Sequence, residues 1–299
     1  MNVLGVDVGF SAIRETSAFC LLSVDSERRT IGLIERPKRF ALRDALGTFR
    51  RLSQSYPDIE WVSVDAPLTP TRLAHRPASG RSVDKRFSKG AFHSSQGGPQ
   101  PGSISVPLQG WPLYEAGMVM VEDLREARLG RYIPFEGFMA DPPGGIIECI
   151  PKLTQALLVP REVVRGRKGT VDDYLFPLLC GREGPYRRVL DLALGGSGFS
   201  AQVEGLIAEI AWAPRRHHEE LAAFVAAIQG VAVAIGRSSI VGRAGDSEGY
   251  YALPHREHWH ADWTGVFGST RADGVEVIDL GGRGSVGPWD AESAVPRPV

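Results

Sequence analysis

The stretch Val3-Leu4-Gly5-Val6-Asp7-Val8 decides the fold class, because it is a short apolar run that carries one acid near its end. A run of this kind is typical of a buried β-strand. The stretch Trp61-Val62-Ser63-Val64-Asp65-Ala66 repeats the pattern and is closed by Pro67. Two such strands predict a buried central sheet in which acidic residues from distant segments lie at one edge.

The segments around these two strands complete an α/β pattern. Residues 18–24 and 30–35 are apolar runs joined by a polar turn, which predicts that the first three strands form an antiparallel meander. Apolar residues from Leu42 to Leu52 recur at helical spacing. Three strands, a helix and a strand predict a right-handed crossover that returns strand 4 beside strand 1. We expect strand 5, at residues 145–150, to be parallel to strand 1 as well.

The remaining segments predict one large domain with an insertion and an extension. Residues 68–117 are rich in Pro, Gly, Ser and Arg and are predicted to be a long basic insertion, a kind of loop that is usually functional. Residues 255–299 are expected to be a C-terminal extension that is partly disordered, above all beyond Gly281. Further helices are predicted at residues 114–129, 171–179, 186–194, 201–211 and 215–235.

Composition excludes several classes of protein. A chain of 299 residues that is 43% hydrophobic and 23% charged, with a net charge of -1, is typical of a globular protein with a real core. Its three cysteines are far apart, which argues against a disulfide framework and structural zinc. We find neither the flanks of a signal peptide nor an apolar run of membrane-spanning length, and therefore expect a cytoplasmic protein.

Three acids at the ends of apolar strands are the candidate catalytic and metal-binding residues: Asp7, Asp65 and Glu148. Burying a carboxylate is costly unless it is paired, hydrogen-bonded or bound to metal. If the strands are parallel neighbours, the carboxylates converge, and oxygen ligands suit Mg²⁺ or Mn²⁺. The alternative is that the aspartates only cap turns and that Glu148 pairs with a cation such as Lys152 or Arg161.

The predicted C-terminal helix adds two candidates, His217 and Glu220. Relative to an apolar stripe centred on Leu221 and Ile228, a 100° step per residue places His217 inward, Glu220 at the border and Glu219 outward. His217 and Glu220 are three residues apart and can reach one site, where the histidine would move a proton and the carboxylate would hold metal. The alternative is that both glutamates only stabilise the first turn of the helix.

A cluster of cations follows Asp65 and is the candidate substrate-binding surface, since cations position phosphates. Its members are Arg72, Arg76, Arg81, Lys85, Arg86 and Lys89. The alternative is an ordinary solvated loop. Near the C-terminus His255, His258, His260 and Asp262 have a spacing that could bind metal, but the interleaved Trp259 and Trp263 favour a segment anchored on the domain.

Five motifs occur in a characteristic order: Gly5-Val6-Asp7-Val8-Gly9, Val64-Asp65-Ala66-Pro67-Leu68, Arg81-Ser82-Val83-Asp84-Lys85, Ile147-Glu148-Cys149-Ile150-Pro151, and Gly245-Asp246-Ser247-Glu248-Gly249-Tyr250 through Pro254. Together they resemble the domain-of-unknown-function family 429, described as predicted nucleases of ribonuclease H-like fold. The resemblance implies such a fold over residues 1–254, with Asp7, Asp65 and Glu148 as acidic site residues. The chain departs from the family at Glu219 and Glu220, where relatives carry aspartates, although His217-x-x-Glu220 is similar to the His-x-x-Asp of some resolvase-type nucleases.

The leading hypothesis is therefore a nuclease that uses Mg²⁺ or Mn²⁺ to hydrolyse phosphodiester bonds of DNA or RNA by a two-metal mechanism. One alternative is a catalytically degenerate module of the same fold that binds nucleic acid or protein. Another is an actin-like ATPase or kinase, whose two phosphate loops would correspond to residues 7–11 and 279–282.

Overall fold

The central sheet appears in a computed structural model that describes residues 1–96, 98–165, 175–176, 178–179, 181–182, 184–195, 198–212, 218–269 and 274–281. Within these residues the sheet has eight strands. They are β1 (Asn2–Asp7), β2 (Ser17–Asp25), β3 (Thr30–Phe40), β4 (Ile59–Asp65), β5 (Gly145–Cys149), β6 (Ser238–Gly242), β7 (Tyr250–Pro254) and β8 (Glu276–Asp279).

The sheet is mixed, with the order β3-β2-β1-β4-β5-β7-β6-β8. β2 is antiparallel to β1 and β3, whereas β1, β4, β5 and β7 form a parallel centre. β6 is antiparallel to both β7 and β8. Helices lie against the sheet, so the predicted α/β class is confirmed. The central strands are mostly apolar, apart from acids such as Asp7, Asp65 and Glu148, because a parallel sheet is covered on both faces.

Nine helices accompany the sheet in the described part of the chain. They are α1 (Ala45–Ser55), α2 (Ser82–Arg86), α3 (Gly110–Glu126), α4 (Pro151–Leu157), α5 (Arg161–Arg165), α6 (Pro185–Leu194), α7 (Ala201–Trp212), α8 (His218–Ala234) and α9 (Ala261–Ser269). α1 and α3 pack on the face that carries Leu4 and Val6. α8 packs on the opposite face, across β1, β2 and β4. None of these helices combines the length and apolar character that a membrane crossing needs.

α8 is apolar on every side, and all of its residues from Leu221 onward are buried. Such a helix belongs in the middle of a core. Its close approach to β1 depends on Gly5, because a Cβ there would overlap the backbone of Ala223 and Ala227. Further along the helix, Gly230 lies over Val3. α8 therefore runs antiparallel to β1, and its first turn lies at the carboxyl end of that strand.

Some elements differ from the sequence prediction. β6, β7, β8 and α9 were not predicted, because each is short and has no clear apolar periodicity. β8 lies within the expected C-terminal extension, yet it pairs with β6 in the main sheet. The chain that follows β7 is anchored by the buried indoles of Trp259, which precedes α9, and Trp263, which lies in α9. Most of the predicted helix at 171–179, and the predicted loosely ordered tail at 282–299, lie outside the described residues.

Candidate functional site

Asp7 and Asp65 end two adjacent parallel strands in the same register. They are direct cross-strand partners, the last pair in the ladder between β1 and β4. Adjacent strands are about 4.8 Å apart, and side chains in one register row point to the same face. Asp7 is 9% exposed and Asp65 is half-buried. The fold thus brings together two carboxylates that are 58 positions apart in the sequence.

Both aspartates lie on the face that α8 covers. Gly5 and Asp7 are two residues apart on β1, so they share a face, and Gly5 is in contact with α8. The step from Gly5 to Asp7 advances about 7 Å along the strand, which corresponds to about four residues of helix. Counting four residues back from Ala223 and Ala227 gives residues 219 and 223, so the first turn of α8 is level with Asp7. The first turn of α8 therefore stands beside the two aspartates.

Arg39 connects the sheet to this first turn. One guanidinium nitrogen, Nη2, lies 2.8 Å from a carboxylate oxygen of Glu219 and 2.8 Å from one of Glu220. The hydrogen bond to Glu220, opposed by desolvation, raises the pKa of Arg39 above its ordinary value, and Glu219 and Glu15 contribute further. Both glutamates reach the same cation, although the helical periodicity predicted Glu220 at the border of the apolar stripe and Glu219 outward.

Arg39 is a site residue that sequence reasoning missed. It lies near the end of a long strand among several other charged residues, and the sequence does not distinguish it from them. Its position becomes clear only from the register, in which Arg39 pairs with Ala18 and Ala18 pairs with Asp7. The predicted antiparallel meander was nevertheless a usable signal. It is enough to place Arg39 two strands from the buried Asp7.

Glu148 lies on the other face of the sheet. Its register partner is Val64, whereas Asp65 pairs with Cys149. Since successive side chains on a strand alternate, Glu148 points away from the two aspartates and Cys149 lies in their row. Burial, together with the negative charges of Asp65, Glu148 and Asp7, raises the pKa of the Cys149 thiol well above its ordinary value. The structure thus does not place Glu148 with Asp7 and Asp65.

The carboxylate of Glu148 is held by Arg81 in a fully buried ion pair. Two guanidinium nitrogens donate to its oxygens at 2.6 and 2.8 Å, and the amide of Leu68 donates at 2.8 Å. Arg81 also donates to Asp84, which accepts a further hydrogen bond from Tyr251 at 2.7 Å. Burial raises the pKa of Glu148 to about 7, although Arg81 opposes this. Glu148 thus forms an ion pair, the alternative considered from the sequence, but with Arg81 rather than with Lys152 or Arg161.

The six cations of the insertion have different environments. Arg81 is buried in the ion pair with Glu148, and Arg86 is 9% exposed, with its guanidinium 4.3 Å above the ring of Phe267. Arg72 and Arg76 are exposed, Lys89 is exposed and Lys85 is half-buried. Arg72 pairs with Glu122 at 3.3 Å on the surface. A substrate in solution can therefore reach four of the six cations, which excludes Arg81 and Arg86.

Three other predicted features remain: His217, the C-terminal histidines and the second phosphate loop. His217 lies outside the described residues. Of the C-terminal histidines, His258 is half-buried, and desolvation, with the charges of His255 and Arg237, lowers its pKa to about 4. Asp279 lies on β8, where it accepts from Ser239 at 2.6 Å and pairs with Arg256 at 2.6 Å. β8 is five strands from β1, or about 24 Å. The actin-like alternative requires phosphate loops at residues 7–11 and 279–282 to bind one nucleotide together, and this separation gives it no support.

The donor set at the carboxyl end of β1 and β4 suits a hard divalent cation. Asp7 and Asp65 offer carboxylate oxygens from adjacent strands, and Mg²⁺ is often bound by one or two carboxylates while it keeps several waters. Across the described residues no three His, Cys, Asp or Glu side chains stand ready as a metal-binding group. Two further carboxylates, Glu219 and Glu220, are directed to Arg39. The residues therefore fit one cation on the two aspartates.

No protein-family model matches the chain, and no curated protein or solved structure matches it either. The chemistry of the site is therefore inferred from its own residues.

Proposed function

We propose that the chain is a nuclease of ribonuclease H-like fold that depends on Mg²⁺ or Mn²⁺. The observation that carries the proposal is the register of Asp7 and Asp65, which aligns two carboxylates at the carboxyl ends of adjacent parallel strands. The strand order β3-β2-β1-β4-β5, with β2 antiparallel to its neighbours, supports the fold part of the proposal.

In this proposal Asp7 and Asp65 hold one cation and Glu220 approaches it from the first turn of α8. The cation, when bound, would supply Lewis-acid stabilisation of a phosphate oxygen and a more acidic water. His217, which precedes α8, remains the predicted proton carrier. Glu148 takes no part, because Arg81 holds it on the opposite face.

The substrate part of the proposal rests on the insertion that follows β4. Arg72, Arg76, Lys85 and Lys89 are accessible or partly so. The insertion begins directly after Asp65, so it leaves the sheet at the edge where the aspartates lie. Exposed ion pairs such as Arg72–Glu122 contribute only about 0–1 kcal/mol, so a phosphate can replace the glutamate at little cost. We propose that these side chains position the nucleic-acid backbone.

The test is cleavage of single-stranded and duplex DNA and RNA in Mg²⁺ or Mn²⁺ by the unaltered protein, Asp7→Asn and Asp65→Asn. We expect each substitution to lower the cleavage rate at least about 100-fold, as when an essential electrostatic group is removed. Asp58→Asn is the matched control, because Asp58 is exposed at the opposite end of the same sheet and should leave the rate unchanged. Cleavage that persists in both site variants would refute the proposal.

A second candidate is a nucleic-acid-binding module that does not cleave. It is favoured by the pairing of Glu219 and Glu220 with Arg39, which leaves two aspartates as the only aligned carboxylates of the described site. This candidate predicts oligonucleotide binding that is unchanged by Asp7→Asn, and no turnover with either metal. The same set of assays therefore separates the two functions.

A further inference from the structure

Arg39 lies in the same register row as the two aspartates. Arg39 pairs with Ala18, Ala18 with Asp7, and Asp7 with Asp65, so the four residues share one face of the sheet. The Cα atoms of Arg39 and Asp7 are thus about 10 Å apart. The long side chain of an arginine can span most of that distance. Arg39 is therefore close enough to take part in whatever the aspartates bind.

The guanidinium of Arg39 is paired with Glu219 and Glu220, the two carboxylates that a metal ion on Asp7 and Asp65 would draw on. Its Nη2 atom lies 2.8 Å from both Glu219 and Glu220, and the three side chains are 31%, 25% and 18% exposed. A single guanidinium nitrogen thus bridges two neighbouring carboxylates of one helical turn. Two negative groups at this spacing favour a shared cation. In the structure that cation belongs to the protein itself.

We propose that Arg39 is a built-in competitor of the divalent cation and, once displaced, a binding residue for the substrate phosphate. This inference rests on the proposed function. Asp7 and Asp65 would hold the cation, Glu220 would pair with it in place of Arg39, and the freed guanidinium would bind a phosphate oxygen. The planar fork of arginine suits a phosphate as well as a carboxylate, so the exchange replaces one charged partner with another.

The exchange is energetically accessible because the ion pairs are only partly buried. Partly solvated pairs are weak, whereas a divalent cation carries twice the charge of a guanidinium and attracts all four carboxylates, those of Asp7, Asp65, Glu219 and Glu220. Without metal, the same pairs keep the two glutamates from repelling the aspartates. The exchange therefore couples substrate binding to metal binding, since Arg39 reaches a phosphate only after the metal has arrived.

The experiment measures Mn²⁺ affinity by titration calorimetry, independently of activity. Arg39→Gln is expected to bind Mn²⁺ about tenfold more tightly than the unaltered protein, because the competitor is gone. Arg39→Lys keeps the positive charge but lacks the planar guanidinium. It should bind Mn²⁺ more tightly than the unaltered protein, by a smaller factor than Arg39→Gln. The matched control is Arg36→Gln. Arg36 lies on the same strand as Arg39, and the substitution removes only an exposed ion pair with Glu209, so Mn²⁺ affinity should be unchanged.

The second readout is anisotropy of a fluorescein-labelled oligothymidylate in saturating Ca²⁺. Arg39→Gln is expected to bind this probe about tenfold more weakly, opposite in sign to its effect on Mn²⁺. Mn²⁺ affinity that is unchanged or weaker in both Arg39 variants would overturn the inference, as would unchanged oligothymidylate affinity. If Arg39→Gln fails to fold, Arg39→Lys decides, and Mn²⁺ affinity that is unchanged or weaker in that variant overturns the inference.

Asp7→Asn separates this inference from the proposed function. If Asp7→Asn leaves Mn²⁺ affinity unchanged, the metal site itself is refuted and the role of Arg39 with it. If Asp7→Asn weakens Mn²⁺ binding while Arg39→Gln and Arg39→Lys do not strengthen it, the metal site stands and only the competition by Arg39 is refuted.

Discussion

Glu148 and Asp65 are on adjacent strands, yet their side chains have opposite environments. Glu148 is completely buried and depends on Arg81 and the Leu68 amide for its interactions. A carboxylate in such a place is costly unless every oxygen is satisfied. Its role is to fix the insertion to the sheet, because Arg81 and Leu68 both belong to the chain that follows β4. Charge at a strand end can thus indicate a structural anchor as well as a site.

The buried carboxyl of Glu148 predicts a pH dependence of stability. Its folded-state pKa is about 7, above the ordinary value of 4.5. The folded state therefore binds the proton more tightly, and the stability that this adds is complete below pH 4.5 and is lost as pH rises through about 7. We expect the free energy of unfolding of the unaltered protein, relative to Glu148→Gln, to fall between about pH 5 and about pH 8.

Urea unfolding at several pH values measures this difference. Glu60→Gln, at an exposed position of β4, is the control and should parallel the unaltered protein. A difference between the unaltered protein and Glu148→Gln that is independent of pH would contradict the prediction. It would mean that Arg81 keeps the carboxylate ionised throughout the range.

At the scale of elements, the position of α8 determines the site. The sequence predicted this helix from its apolar residues, and it also predicted the strands that carry Asp7 and Asp65. It did not predict the direction of Glu219, because an apolar stripe defines an inward face only when the other face is polar. α8 is buried on all sides from Leu221 onward, so its sequence does not specify which side meets the sheet.

Gly5→Ala tests the contact between β1 and α8. The added methyl group would overlap the backbone of Ala223 and Ala227, which can relieve the clash only if the helix moves. We expect a loss of about 1–3 kcal/mol in the free energy of unfolding, measured with denaturant. Mn²⁺ affinity should fall as well, because the first turn of α8 moves away from Asp7.

Gly47→Ala is the matched control for that substitution. Gly47 lies in α1 with no atom near the position of a Cβ, and alanine is favoured over glycine inside a helix by about 0.5–1 kcal/mol. The control should therefore be neutral or stabilising. Equal effects of the two substitutions would contradict the close approach of α8 to β1.

At the scale of the whole molecule, the sheet is wider than the sequence indicated. Hydrophobic runs predicted β1 to β5 and the α/β class, but β6 to β8 are short, and they carry Ser, Gly and Tyr (β6 and β7) or two acids (β8). Pairing with neighbouring strands, which is a long-range effect, decides their conformation. The pairing of Asp7 with Asp65 could be reasoned from the strand order. The partners of Arg39 and Glu148 required tertiary contacts far apart in the sequence.

Truncation tests whether β8 belongs to the folded domain. A chain that ends after residue 273 lacks β8 and the contacts of Asp279 with Ser239 and Arg256, and it exposes the edge of β6. We expect its melting temperature to fall by about 3 °C or more, and its tendency to aggregate to rise. A chain that ends after Gly281 keeps β8 and is the control. Equal melting temperatures for the two truncations would contradict the prediction.

The alternation of Glu148 and Cys149 has a consequence for how β5 tolerates insertions. A slip of one residue in the pairing of β5 with β4 would turn every side chain of β5 to the opposite face. Glu148 would then join the row of Asp7 and Asp65, while Arg81 would lose its partner. Glu148 can point to only one face of the sheet. A turn before Gly145 that is longer or shorter by one residue would therefore remove its ion pair with Arg81 and place it as a third acid beside the aspartates.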